Sequence, residues 1–157
     1  MLISFRSFRV ATTVLALTSL AACSKKDNVT PTPAANPEGM SWTVDGNNVT
    51  AVTAVSQAMG TTLTVVGSTG STGAASTVSL DIPKTAGTYT LTSTSTYGAS
   101  YAVTPASGSS QFYDSTAGSI VVSSVTATNI VGTFTFTGAT SGGTTKSISN
   151  GKFNVKL

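Results

Sequence analysis

The chain has 157 residues, with eight Lys or Arg against five Asp or Glu, a single cysteine and no histidine. Without histidine there is no Ser-His-Asp or Cys-His nucleophilic system, no usual zinc constellation and no imidazole base near neutral pH. One cysteine excludes an internal disulfide framework, and the length suits one domain core.

Arg6 and Arg9 precede the uncharged run Val10 to Ala22. A basic segment, a short apolar segment and small residues before a cut make an export signal over residues 1–22. The run is too short for a spanning helix, which needs about 20 apolar residues. Leu20-Ala21-Ala22-Cys23 resembles a bacterial lipobox, which implies cleavage before Cys23 and a diacylglyceryl group on its thiol. Each buried acyl methylene contributes about 0.8 kcal/mol, so two or three chains hold the protein to a membrane. With the leader gone, six lysines face five acids and the formal charge falls to about +1. That balance carries no electrostatic footprint for nucleic acid.

Residues 23–38 read as the lipidated N-terminus and a tether, rich in Pro, Asn and charge with almost nothing apolar to bury. The folded part is expected over 39–157. Met40, Trp42 and Val44 alternate with Ser41 and Thr43, and after Asp45-Gly46 the alternation resumes, which predicts a hairpin. Thr62 to Val66 is the next strand, and Gly67 to Ala75 a loop of small residues. Thr77 to Ile82 is a strand closed by Pro83, and Thr88 to Thr92 places Tyr89 and Leu91 on one face. Tyr97 to Thr104 and Ser119 to Thr126 follow, with Phe112-Tyr113 in or beside the segment between them. Thr133 to Thr137 alternates so that Phe134 and Phe136 point inward. Asn150-Gly151 is either a tight turn or a bulge within one longer strand that includes Phe153 and Val155. Lys146, Lys152 and Lys156 are expected on an exposed edge, discouraging strand addition.

No apolar pattern of helical period extends over three turns, while threonine suits a half-buried pleated surface. The fold expected is all-β and antiparallel, with roughly eight to ten strands, as a β-sandwich or, alternatively, a partly open β-barrel. The sandwich is the favoured form.

Cys23-Ser24-Lys25-Lys26-Asp27, the first strand Trp42-Thr43-Val44-Asp45-Gly46, Gly87-Thr88-Tyr89, Gly132 to Phe136 and Ser149 to Phe153 together resemble small Bacteroidota lipoproteins of an uncharacterised all-β family. The resemblance covers nearly the whole mature chain. It implies the fold and the anchor, and carries no reaction, cofactor or functional residue. Ser24 after Cys23 suits the outer membrane, while two lysines where surface-displayed lipoproteins of that phylum carry acids leave the periplasmic and surface faces both open.

Five acids remain in the mature chain, and Asp27 and Glu38 fall in the tether. A glycan-active hydrolase working through two carboxylates would draw on Asp45, Asp81 and Asp114. Asp45-Gly46-Asn47-Asn48 lacks the spaced acids and closing glutamate of a calcium loop and reads as a turn, so no metal and no cofactor is expected. Among the aromatics, Trp42 and Tyr89 are assigned to the core, while Tyr97, Tyr101 and Tyr113, near Gly- and Ser-rich loops, are the candidates for exposed contact with a carbohydrate or protein ligand. Asp114-Ser115-Thr116 resembles a Bacteroidota O-glycosylation acceptor, with Ser115 as the candidate site. The function expected is a lipid-anchored, non-catalytic binding or structural protein of the cell envelope. The alternatives are the small hydrolase and an accessory lipoprotein of an outer-membrane uptake complex.

Overall fold

In the computed structural model, residues 36–70 and 73–157 are described; the leader, Cys23 and the tether up to residue 35 lie outside them, as do residues 71 and 72 of the Gly67 to Ala75 loop. Ten strands make up the domain: β1 (Gly39–Val44), β2 (Asn47–Thr50), β3 (Thr53–Met59), β4 (Thr62–Ser68), β5 (Ala75–Pro83), β6 (Gly87–Thr92), β7 (Gly98–Thr104), β8 (Gln111–Val125), β9 (Asn129–Ala139) and β10 (Thr145–Lys156). They form one antiparallel sheet in the order β2-β1-β10-β9-β8-β7-β5-β4-β3, with β6 paired to the later half of β8.

The sheet is curled into a half-barrel, and its two edges are consecutive in the chain. Ala51 N–H donates to Met40 O at 2.9 Å, still in the β1 ladder, and the very next amide, of Val52, donates to Ser68 O of β4 at 2.8 Å. The segment 47–59 thus changes partners at one bend. Such a corner is what turns a single sheet into two facing walls, so the two forms left open by the sequence pattern differ only in how sharply the corners bend. β3 returns against β1 and β10.

The inward set follows from the two-residue period. Trp42, Leu80, Ile120, Phe136 and Phe153 are fully buried, and Phe134 is 3 % exposed. Burying side chains of this size contributes about 1.5–3 kcal/mol each. The walls approach closely enough that Met40 of β1 lies over Gly67 of β4, where a Cβ would stand 2.5 Å from its Sδ. The interior is therefore filled by side chains.

Asp45 and Gly46 take φ of 51° and 79°, the paired positive angles of a two-residue hairpin turn. β10 runs unbroken through Asn150-Gly151, which is a bulge: between the pairs Ile148–Phe136 and Gly151–Phe134, Ser149 and Asn150 of β10 oppose Thr135 alone on β9, and the register slips likewise against β1. β10 lies between β1 and β9, so Lys152 and Lys156 project from the outer face of a central strand and not from an edge. β3 is an addition to the expected strands, because its inner positions are Ala54, Ser56 and Ala58 and give little hydrophobic signal. β8 begins at Gln111, well before the expected Ser119, because the run Ser115 to Gly118 in its first half is made of small residues with little hydrophobic signal.

Candidate functional site

Asn150 has φ of 52°, a conformation that Asn tolerates better than β-branched or bulky residues, and it is the extra residue that bends β10. Beside the bend the outer surface holds a groove of about 440 Å³, lined by Ser119, Val121, Thr133, Thr135, Asn150 and Lys152, with Phe134 in its floor. A second hollow of about 250 Å³ on the β1–β2 side is lined by Ser41, Thr43, Asn48 and Thr50, and shares Asn150 and Lys152 with the first. Cross-strand register sets these side chains in rows: Thr88, Val121, Thr133, Lys152, Ser41 and Thr50 follow one another across six strands.

Thr43 Oγ1 donates to Asn48 Oδ1 at 2.7 Å and accepts from Asn150 Nδ2 at 3.5 Å, the outer limit of a hydrogen bond. Lys152 forms no ion pair among the described residues. The groove therefore offers hydroxyls, two amides and one ammonium, with no carboxylate in its lining. It can hydrogen-bond a hydroxylated or anionic ligand, and it contains no group to act as a base near neutral pH. Sequence reasoning missed this site because its residue types are unremarkable one by one. The one signal was Asn150-Gly151 followed by Lys152.

The tyrosines lie elsewhere. Tyr101 and Tyr113 are 5 % and 2 % exposed, a correction to their assignment as exposed contacts. They are direct cross-strand partners on the inner face, with ring centroids 6.0 Å apart. Alternation with Ala99 and Val103 on one side of β7 turns Tyr101 inward. Tyr113 O–H donates to Gln111 Oε1 at 2.7 Å. Burial pushes the Tyr101 phenol above its usual range, opposed by a hydrogen bond with Ser76 and the nearby Lys146 ammonium. Lys146 pairs with Asp45, and that bond raises the ammonium above its usual value. Tyr97 is half-buried, edge-on to Tyr89 at 5.2 Å, and the Tyr89 hydroxyl donates to Thr85 O at 2.8 Å. The exposed aromatic is Phe112, 62 % accessible beside the β9–β10 loop.

Ser115 is also turned inward, at 8 % exposure, and its Oγ accepts from Ala99 N–H at 3.1 Å. An O-linked sugar needs an outward hydroxyl, so Ser115 does not fit that role in the folded domain; Asp114 and Thr116 face outward on either side of it.

Asp81 faces Gly98, and Asp114 faces Ser100, across β7. Two strand spacings and a two-residue offset put their Cα atoms about 12 Å apart. Asp81 accepts from Thr64 Oγ1 at 2.6 Å, and Asp45 is engaged with Lys146. No group of three His, Cys, Asp or Glu able to hold a metal occurs among the described residues.

These features define a small all-β domain with a filled interior and a hydroxyl- and amide-lined groove on the outer face of its sheet. The chain belongs to the family of the domain of unknown function DUF6252, whose model matches residues 36–155. Neither a curated protein nor a solved structure matches the chain.

Proposed function

We propose that this is a lipid-anchored cell-envelope protein of Bacteroidota whose β-domain binds a carbohydrate or protein partner and performs no catalysis. The observation that carries the binding role is the hydroxyl- and amide-lined groove at the β10 bulge, with Lys152 between its two hollows. Rigid strands hold these groups at fixed spacing, which favours a ligand with repeated hydrogen-bonding groups. The filled interior argues against a ligand enclosed in the barrel. The carboxylate-free groove argues against a hydrolase acting there. The lipobox-like Leu20 to Cys23 supports the anchor, and the outer membrane is the favoured location.

Titration of the isotope-labelled domain with a panel of envelope and environmental saccharides tests the binding role. Amide shifts confined to Ser119, Thr133, Thr135, Asn150 and Lys152, weakened in Lys152→Ala, are expected. Shifts elsewhere, or identical affinity in the variant, would move the site. Intact-mass analysis of protein from its native host tests the anchor: a diacylglyceryl mass on Cys23 is expected, and an unmodified thiol overturns it.

A further inference from the structure

Four of the five most exposed large apolar side chains of the described residues lie on or beside β3: Val52 at 78 %, Val55 at 52 % and Met59 at 64 % along it, and Leu157 at 47 % next to its middle. Val55 and Met59 project outward from β3 by the two-residue period, and Val52 stands at the corner where the chain changes partners. Leu157 follows Lys156, whose carbonyl accepts a hydrogen bond from Ser56 Oγ of β3 at 2.5 Å. A row of large apolar side chains along an edge strand is apolar surface that a partner can cover.

The place where the chain enters the domain indicates the occupant. Asn36 is fastened by its Nδ2 to Gly132 O at 3.1 Å, and by its carbonyl to Asn154 Nδ2 at 2.8 Å. Glu38 lines the same cleft as Val52 and Lys156, so the N-terminal entry and the apolar ridge are adjacent. Twelve residues lie between Cys23 and Asn36, a reach of at most about 45 Å. Of the acids near the ridge, Glu38 is paired with Lys156 at 3.2 Å, and Asp81, two strands away on the same outer face, accepts from Thr64 Oγ1. At the other end of β3, exposed Lys84 donates its amide to Thr61 O in the β3–β4 turn.

We propose that this ridge docks on the bilayer itself, with Val52, Val55, Met59 and Leu157 dipping into the interfacial region and Lys84 near the headgroups. The inference rests on the reading of Cys23 as the acylated anchor, which would keep the domain within reach of the membrane. Docking would turn a tethered domain into an oriented one, with β3 against lipid.

The test uses the chain from Ser24 onward, which lacks the leader and Cys23 and retains every described strand and core residue. Co-sedimentation with vesicles of phosphatidylethanolamine and a minority of phosphatidylglycerol reads docking without any acyl group. Measurable binding is expected, falling at least about tenfold in Val52→Asp combined with Met59→Asp. Both side chains are exposed, so the melting temperature of the variant is expected to stay within a few degrees and serves as the folding control. No vesicle binding, or equal binding by the variant, overturns the proposal. A stable dimer in sedimentation that the same variant dissolves also overturns it, assigning the ridge to a second copy of the chain. The mass of Cys23 from the native host is read separately, so loss of the anchor reading is distinguishable from loss of docking.

Discussion

Gly151 and Phe134 are cross-strand partners, and a Cβ on Gly151 would stand 2.5 Å from Cδ2 of the Phe134 ring. The ring lies across the glycine, so the bulge that shapes the outer groove also seats an aromatic of the core. One residue on each strand serves both faces of the sheet.

Gly151→Ala is accordingly expected to destabilise the domain by about 1–3 kcal/mol, because the ring must move within a packed interior. Thermal unfolding checks it, with a fall in Tm of several degrees. A Tm within experimental error of the parent would mean that Phe134 has room to yield.

At the neighbouring Asn150 the backbone angle decides the outcome. Asn150→Gly is expected to be neutral or slightly stabilising, while Asn150→Val should cost about 1–3 kcal/mol, since a β-branched residue resists positive φ. Denaturant unfolding of the two variants gives the sign directly. Equal stability would mean that the bulge relocates.

Ser115 gives a second contrast between faces. Ser115→Ala leaves the buried Ala99 N–H without its acceptor and is expected to cost about 1–3 kcal/mol, whereas Thr116→Val on the outer face should cost less. Glycopeptide mapping of the native protein is expected to find Ser115 unmodified. A glycan at that position would require the start of β8 to open.

Alkaline pH should weaken the domain. The phenol of Tyr101 is raised in the folded state by burial, so on going above about pH 10 the unfolded chain loses its proton first and unfolding becomes more favourable. Its contribution is therefore complete below pH 10 and declines as pH rises through the higher folded value. The raised Lys146 ammonium acts in the same sense. Unfolding free energies at pH 8 and pH 11 are expected to differ less in Tyr101→Phe than in the parent. An unchanged difference would place the alkaline sensitivity elsewhere.

Asp114→Asn addresses the hydrolase alternative. No glycan-cleaving activity is expected in either protein, and activity present in the parent and abolished in the variant would overturn the non-catalytic reading.

Much of the fold was legible because period-two alternation is strong where the inner residues are large. Thr133 to Thr137 announces its two phenylalanines, and Asp45-Gly46 its turn. The pattern fails where inner positions are small, as on β3, or where a bulge changes parity. On β8 the inward residues are Tyr113 and Ser115, then Ile120 and Val122, an odd-to-even switch around the register slip between Ser115 and Ala117. A reader following strict alternation back from Ile120 would put Tyr113 and Ser115 on the outside. The groove was illegible for a different reason: its residues come from β1, β2, β8, β9 and β10, and only the register brings them together.

The pairing of β1 with β10 has a consequence for the order in which the domain can form. The first strand to be synthesised finds one of its two partners only when the twelve residues of β10 have followed it. Its other partner, β2, can make a local hairpin at once, but that hairpin alone is marginal. Final closure is thus a late, long-range event of the kind that slows folding to milliseconds or longer. A truncation before Thr145 would leave β1 and β9 without the strand that lies between them.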